Sequence, residues 1–103
     1  MKSEVLILFS RKGCCLCEAL EERLLNLSLA NLDPSIELKI LDIDTKQVSF
    51  KERGLYTNEV PVLVLDSSKL ARRIELPRVS PRLKKNQLFI WLQNKLNNFY
   101  KPS

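Results

Sequence analysis

All three cysteines of this 103-residue chain fall within four positions, Cys14, Cys15 and Cys17. They stand where an unbroken apolar run, Val5-Leu6-Ile7-Leu8-Phe9, gives way across Ser10-Arg11-Lys12-Gly13 to a helical pattern. Cysteines this close in the chain tie no distant loops, so they do not form the framework of a disulfide-stapled secreted scaffold. The five-residue run reads as a strand buried on both faces, as in the middle of a parallel sheet. Beyond it Cys17, Leu20, Leu24 and Leu27 recur at helical steps while Glu18, Glu21, Glu22 and Asn26 take other faces. This spacing predicts an amphipathic helix from about Cys14 to Ala30, closed by turn formers between Asn31 and Pro34.

The remaining pattern completes a sheet. Ile36, Leu38 and Ile40 alternate with Glu37 and Lys39 as a second strand, and Asp44 with Gln47 reads as a capping pair that opens a short helix ended by Gly54. Val60-Pro61 leads into a third strand, Val62 to Leu65, and Asp66 to Lys69 turns the chain into a fourth within Leu70 to Leu76. Ser80 before Pro81 reads as the N-cap and first residue of a last helix, with Leu88, Trp91, Leu92, Leu96 and Phe99 on one face. The order β-α-β-α-β-β-α predicts one four-stranded mixed sheet of the α/β class, flanked by helices, in a single domain over residues 1–103. Its first two strands run parallel through a right-handed crossover and its last two form a hairpin.

The position of the cysteines sets their chemistry. The first amides of a helix have no carbonyl partner within it and lie at the positive end of its dipole, so a sulfur there is stabilised as thiolate. Cysteines of this Cys-x-x-Cys type titrate at roughly 3.5 to 7.5 rather than near the free value of about 8.5, and Arg11 and Lys12 would add to the effect. Residues i and i+3 share a helix face, so Cys17 is placed to resolve a mixed disulfide formed by Cys14. Cys15 lies about 100° round the helix from Cys14 and reads either as a variable residue inside the motif or as a third, exposed redox sulfur.

Other uses of the motif are weighed against this one. A closed zinc site wants four ligands, and the chain has three cysteines and no histidine. An iron–sulfur cluster shared between two subunits, completed by glutathione or Cys15, and a pair of inert buried cysteines remain as alternatives. Charge is uneven: residues 1–68 carry 8 basic and 11 acidic side chains, residues 69–103 carry 9 and 1. Arg72, Arg73, Arg78, Arg82, Lys84 and Lys85 therefore form either a solvated basic face or a surface that holds an acidic partner. No aromatic residues interleave them, so nucleic acid is not an expected partner.

With Gly13-Cys14-Cys15-Leu16-Cys17-Glu18, Tyr56, Glu59-Val60-Pro61-Val62-Leu63 and Leu76-Pro77-Arg78-Val79-Ser80-Pro81, the chain resembles the glutaredoxin-like group of the thioredoxin superfamily over nearly its whole length. The resemblance implies a thioredoxin/glutaredoxin-like fold with Cys14 and Cys17 as the catalytic dithiol. It also implies a cis Pro61 beside the cysteines, with the Val60 backbone free to pair with a peptide or glutathione strand. Arg11 stands where such enzymes keep a basic residue three before the first cysteine. The Gly-Gly-x-Asp-like turn that grips glutathione is replaced by Ile74-Glu75-Leu76-Pro77-Arg78-Val79-Ser80, so glutathione as a co-substrate would lean on Arg78 or on the amides after Ser80. The thioredoxin pattern is also missing, since Val5 to Phe9 holds no acid and Gly13 precedes Cys14.

The expectation is thus a thiol–disulfide oxidoreductase whose catalytic residues are Cys14 and Cys17. Arg11, Lys12, Cys15, Val60, Pro61, Arg78 and Ser80 are its candidate substrate-binding residues. No metal or resident cofactor is expected. The partners expected are a disulfide-bearing protein or small molecule, and glutathione or a reductase for recharging. The alternative class is a non-catalytic binding module using the basic C-terminal surface. The N-terminal apolar run is too short for a signal segment or a membrane span, so a cytoplasmic monomer is expected.

Overall fold

The computed structural model describes residues 4–32, 34–80 and 83–100. Strand β1 (Glu4–Ser10) lies inside a four-stranded sheet of order β2-β1-β3-β4. It pairs in parallel with β2 (Ile36–Asp42) and antiparallel with β3 (Val62–Ser67), which pairs antiparallel with β4 (Arg72–Glu75). The apolar run follows from this position, because successive side chains of a strand point to opposite faces and here both faces are covered. Leu6 and Leu8 meet Leu63 and Leu65 of β3, Leu20 and Leu24 of helix α1 (Cys15–Leu25), and Leu88, Leu92 and Leu96 of helix α3 (Lys85–Tyr100). Ile7 and Phe9 point the other way, into a second cluster with Val62, Val64, Leu41, Ile43, Val48 and Tyr56. Tyr56 closes helix α2 (Phe50–Tyr56) and its ring stacks tilted on Phe9 at 5.2 Å.

Three element boundaries differ from the sequence reading, each for a local reason. Helix α1 starts at Cys15, with Cys14 as its N-cap, and stops at Leu25; Leu27 is still buried, but through a short 3-10 turn, Leu29–Asn31, that follows. Helix α2 is capped by Ser49, whose Oγ accepts from the Glu52 amide at 3.2 Å, and not by Asp44 with Gln47. Asp44 is taken by Arg11 instead. Gly54 lies within α2, which runs on to a C-cap at Thr57. Helix α3 begins at Lys85, not beside Ser80: the Lys84 amide donates to Gln87 Oε1 at 3.2 Å, and the Lys84 carbonyl accepts the first helical bond, from Leu88. Ser80 opens a turn in which its carbonyl accepts from Leu83, while the expected first helical residue, Pro81, and Arg82 lie outside the described residues.

An acid does lie in the first strand, one residue before the apolar run. Glu4 is 2% exposed, and its carboxylate accepts from Ser67 Oγ (2.7 Å), the Ser68 amide (2.7 Å), Ser68 Oγ (2.9 Å) and Tyr100 Oη (2.6 Å). These bonds fasten the end of α3 to the β3–β4 turn. Burial alone would raise the Glu4 carboxyl, but the hydrogen bonds from Tyr100, Ser67 and Ser68 outweigh it and hold the group at about 2, against an ordinary 4.5. Burial, and then the bond to Glu4, push the Tyr100 phenol up to about 12.

A carboxyl depressed by folding stabilises the native state above its unfolded value and loses that contribution as pH falls through the folded value. Glu4 therefore contributes on the order of 3 kcal/mol at neutral pH, lost between about pH 4.5 and 2. Urea unfolding of native and Glu4→Gln protein across that window should show the variant less stable at pH 7, with the gap closing toward pH 2. Parallel profiles would contradict this.

Candidate functional site

The cysteines sit where β1 leaves the sheet and α1 begins. A four-residue turn from Arg11 to Cys14, closed by the Cys14 amide on the Arg11 carbonyl at 3.2 Å, makes the connection. Gly13, third in that turn, has φ +81°, a left-handed conformation that glycine adopts without steric cost. Cys14 is extended (φ −88°, ψ 107°), as an N-cap residue is, and its Sγ accepts from the Cys17 amide at 3.2 Å. Sulfur here does the work of a capping oxygen.

Cys14 and Cys17 are joined as a disulfide with their Cα atoms 5.2 Å apart. Cys14 is half-buried, Cys17 is 0% exposed beneath it, and Cys15 is a free, exposed cysteine on another side of the helix. The outer sulfur is the one an incoming molecule can reach, and the inner one is reached through it. Among the described residues, no group of three or more His, Cys, Asp or Glu side chains is gathered as a metal site.

Arg11 is placed differently from a substrate ligand. Its guanidinium forks onto Asp44, with Nε to Oδ2 at 2.8 Å and Nη2 to Oδ1 at 3.0 Å, and donates to the Thr57 carbonyl (2.8 Å) and Thr57 Oγ1 (2.7 Å). The hydrogen bond from Arg11 holds the Asp44 carboxyl below its usual range, and Asp44 in turn raises Arg11. One side chain thereby ties the turn before Cys14 to the loop after β2 and to the end of α2, three residues before Val60. Lys12 stands exposed on the same turn.

The Val60–Pro61 peptide is cis. The Val60 amide is not free to pair with a substrate strand, because it donates to the Tyr56 carbonyl at 3.1 Å as α2 unwinds. Arg78, beyond β4, donates to the Glu59 carbonyl and faces the Glu59 carboxylate at 3.7 Å. Ser80 lies in the turn that precedes α3, so no helix N-terminus follows it directly.

Pro61, Leu20, Arg78 and Val79 line a groove that also takes in Leu76, and Leu16, between the two bonded cysteines, lines its continuation. Leu16 and Pro61 thus line one stretch of surface. The sequence reading missed Leu16, Val79, Asp44, Thr57 and Glu59. An apolar residue at an exposed helical position, as Leu16 is at 50% exposure, was the one available signal.

The family described as Glutaredoxin-like domain (DUF836) matches residues 5–93. No curated protein matches the chain. A solved structure described as that of a malarial protein aligns with a TM-score of 0.61 at 19% identity, covering 92% of this chain and 99% of that one, which shows a shared fold.

If Arg11 is the tie between these loops, Arg11→Met should leave the sheet intact but speed amide hydrogen exchange at Ile43 and at Glu59 and Val60. Exchange unchanged at those amides would show that the loops hold their places without it.

Proposed function

The chain belongs to the glutaredoxin-like domain family, and from that premise we propose that it is a thiol–disulfide oxidoreductase in which Cys14 attacks and Cys17 resolves. The observation that carries this reading is the pairing of a reachable sulfur at the start of α1 with a buried partner one turn on, already at bonding distance. When the pair is reduced, the Cys17 amide and the positive end of α1 favour the thiolate of Cys14 over its thiol.

The reaction runs in two displacements. The Cys14 thiolate attacks one sulfur of a substrate disulfide, forming a mixed disulfide and releasing the other substrate sulfur as thiolate. Cys17, losing its proton to solvent, then attacks Cys14 Sγ; the second substrate sulfur leaves, and the Cys14–Cys17 disulfide remains. Two electrons have passed to the substrate, and an external thiol or dithiol returns the pair to the reduced form while becoming a disulfide itself. The burial of Cys17 suits a sulfur whose only target is Cys14.

The basic C-terminal segment lends less to a binding-module reading than its charge suggests. Arg73 is paired with Glu52 and lies 3.6 Å from Asp66, and Arg78 is turned onto Glu59. Those cations are already partly neutralised within the fold.

Dithiothreitol-driven reduction of insulin tests the proposal. The native chain should accelerate it, Cys14→Ser should fall to the uncatalysed rate, and Cys17→Ser should accumulate a mixed disulfide with substrate that mass spectrometry detects. Turnover that survives Cys14→Ser, or no acceleration by the native chain, would refute the assignment.

A further inference from the structure

Strand β2 forms one edge of the sheet, bonded to β1 on one side. The Ile43 amide, just past the end of β2, donates to the Ser10 carbonyl of β1 at 2.8 Å. Backbone groups along a paired strand point alternately to its two sides, so Leu41, Lys39 and Glu37 also face β1, and the amides and carbonyls of Ile36, Leu38 and Ile40 face outward. Among the described residues nothing bonds those outward groups. β2 holds no proline and no bulge breaks its register, so it lacks the backbone devices that commonly blunt a sheet edge.

The side chains on this edge complement themselves. Ile36, Leu38 and Ile40 lie on the face covered by α1 and α3, the last two only partly buried. Glu37 and Lys39 are exposed on the opposite face, and among the described residues neither enters an ion pair or a hydrogen bond. When two copies meet edge to edge about a two-fold axis, outward groups bond outward groups only if the axis is level with a residue. An axis at Lys39 sets that lysine against itself, and an axis at Glu37 does the same with glutamate. With the axis at Leu38, Glu37 of each copy stands opposite Lys39 of the other, in a non-hydrogen-bonded pair, where facing side chains come closest. Leu38 then meets Leu38, and Ile36 meets Ile40, on the apolar face.

We propose that β2 is a self-association edge, on which a second copy of this chain pairs its own β2 antiparallel with the axis at Leu38. The two four-stranded sheets become one continuous sheet. Because β1 runs parallel to β2 while the two β2 strands run opposite ways, the two cysteine sites fall at opposite ends of the joined sheet and each stays open. A seam one strand wide buries less area than a standard interface, so the dimer is weak and forms at high concentration.

Sedimentation velocity on the full chain, with excess dithiothreitol to exclude disulfide-linked pairs, tests this. Between about 10 µM and about 1 mM the weight-average mass should climb toward twice that of the monomer. Lys39→Glu and Glu37→Lys each set like charges opposite one another and should weaken association about tenfold. Mixed in equal amounts, these two variants present only opposite charges across the seam and should associate with each other as well as the native chain does with itself. Amide hydrogen exchange at Leu38 and Ile40 should slow as the native chain dimerises.

A native chain that stays monomeric over this range, association unaffected by either single change, variants that do not rescue each other on mixing, or Leu38 and Ile40 amides that exchange no slower in the dimer would overturn the proposal.

Discussion

The first amides of α1 have no carbonyl to bond within the helix, and one of them, from Cys17, is taken by Cys14 Sγ at 3.2 Å. The other features of the site arrange themselves around that contact. β1, buried on both faces, fixes where the chain leaves the sheet, and Gly13 allows the turn that brings Cys14 to the cap position. The amphipathic pattern of α1 then buries Cys17 with Leu20 and Leu24, leaving its partner sulfur near the surface. A hydrophobic core thus sets the depth of each sulfur.

Long-range polar contacts hold the surrounding loops. At the cysteine end, Arg11 joins the turn before Cys14 to Asp44 and Thr57, and Arg78 braces the segment before the cis Pro61 through Glu59. Glu4 and Tyr100 do the corresponding work beside the β3–β4 turn, far along the chain from one another. Exposed ion pairs taken singly contribute little to stability. The effect of the arginine contacts is on geometry, since they span segments that share no backbone ladder, and on chemistry, since an arginine already bonded offers a carboxylate much less.

What was legible in the sequence is what local physics dictates. The unbroken apolar run of β1 and the helical spacing of Cys17, Leu20 and Leu24 each report burial directly, and the strand–helix junction follows from the two patterns meeting at Gly13. The parallel pairing of β1 with β2 and the antiparallel pairing of β3 with β4 followed from crossover handedness and from the tight turn after β3, whereas the place of β1 between β2 and β3 did not. What stayed hidden depends on partners distant in sequence. Glu4 reads as an ordinary polar strand end until Tyr100, 96 residues on, is seen to donate to it. Asp44 is a sound cap by local rules, but Arg11, 33 residues earlier, has claimed its carboxylate, and the cap falls to Ser49. Likewise Ser80 and Pro81 carry a stronger local helix-start signal than Lys84, yet the helix opens at Lys85, where Gln87 reaches back to the Lys84 amide. The role expected of Arg11 changed for the same reason: its position near the cysteines was readable, its occupancy was not.

The central claim is electrostatic, that the reduced Cys14 sulfur is anionic near neutrality because it caps α1. It is read most directly by the pH dependence of alkylation of the reduced chain, with Cys14 modification followed by mass spectrometry, since the thiolate is the reactive form. The account predicts a midpoint well below the free-cysteine value of about 8.5. A midpoint at or above that value would mean that the helix amides do not activate Cys14, and the mechanism built on them would not stand.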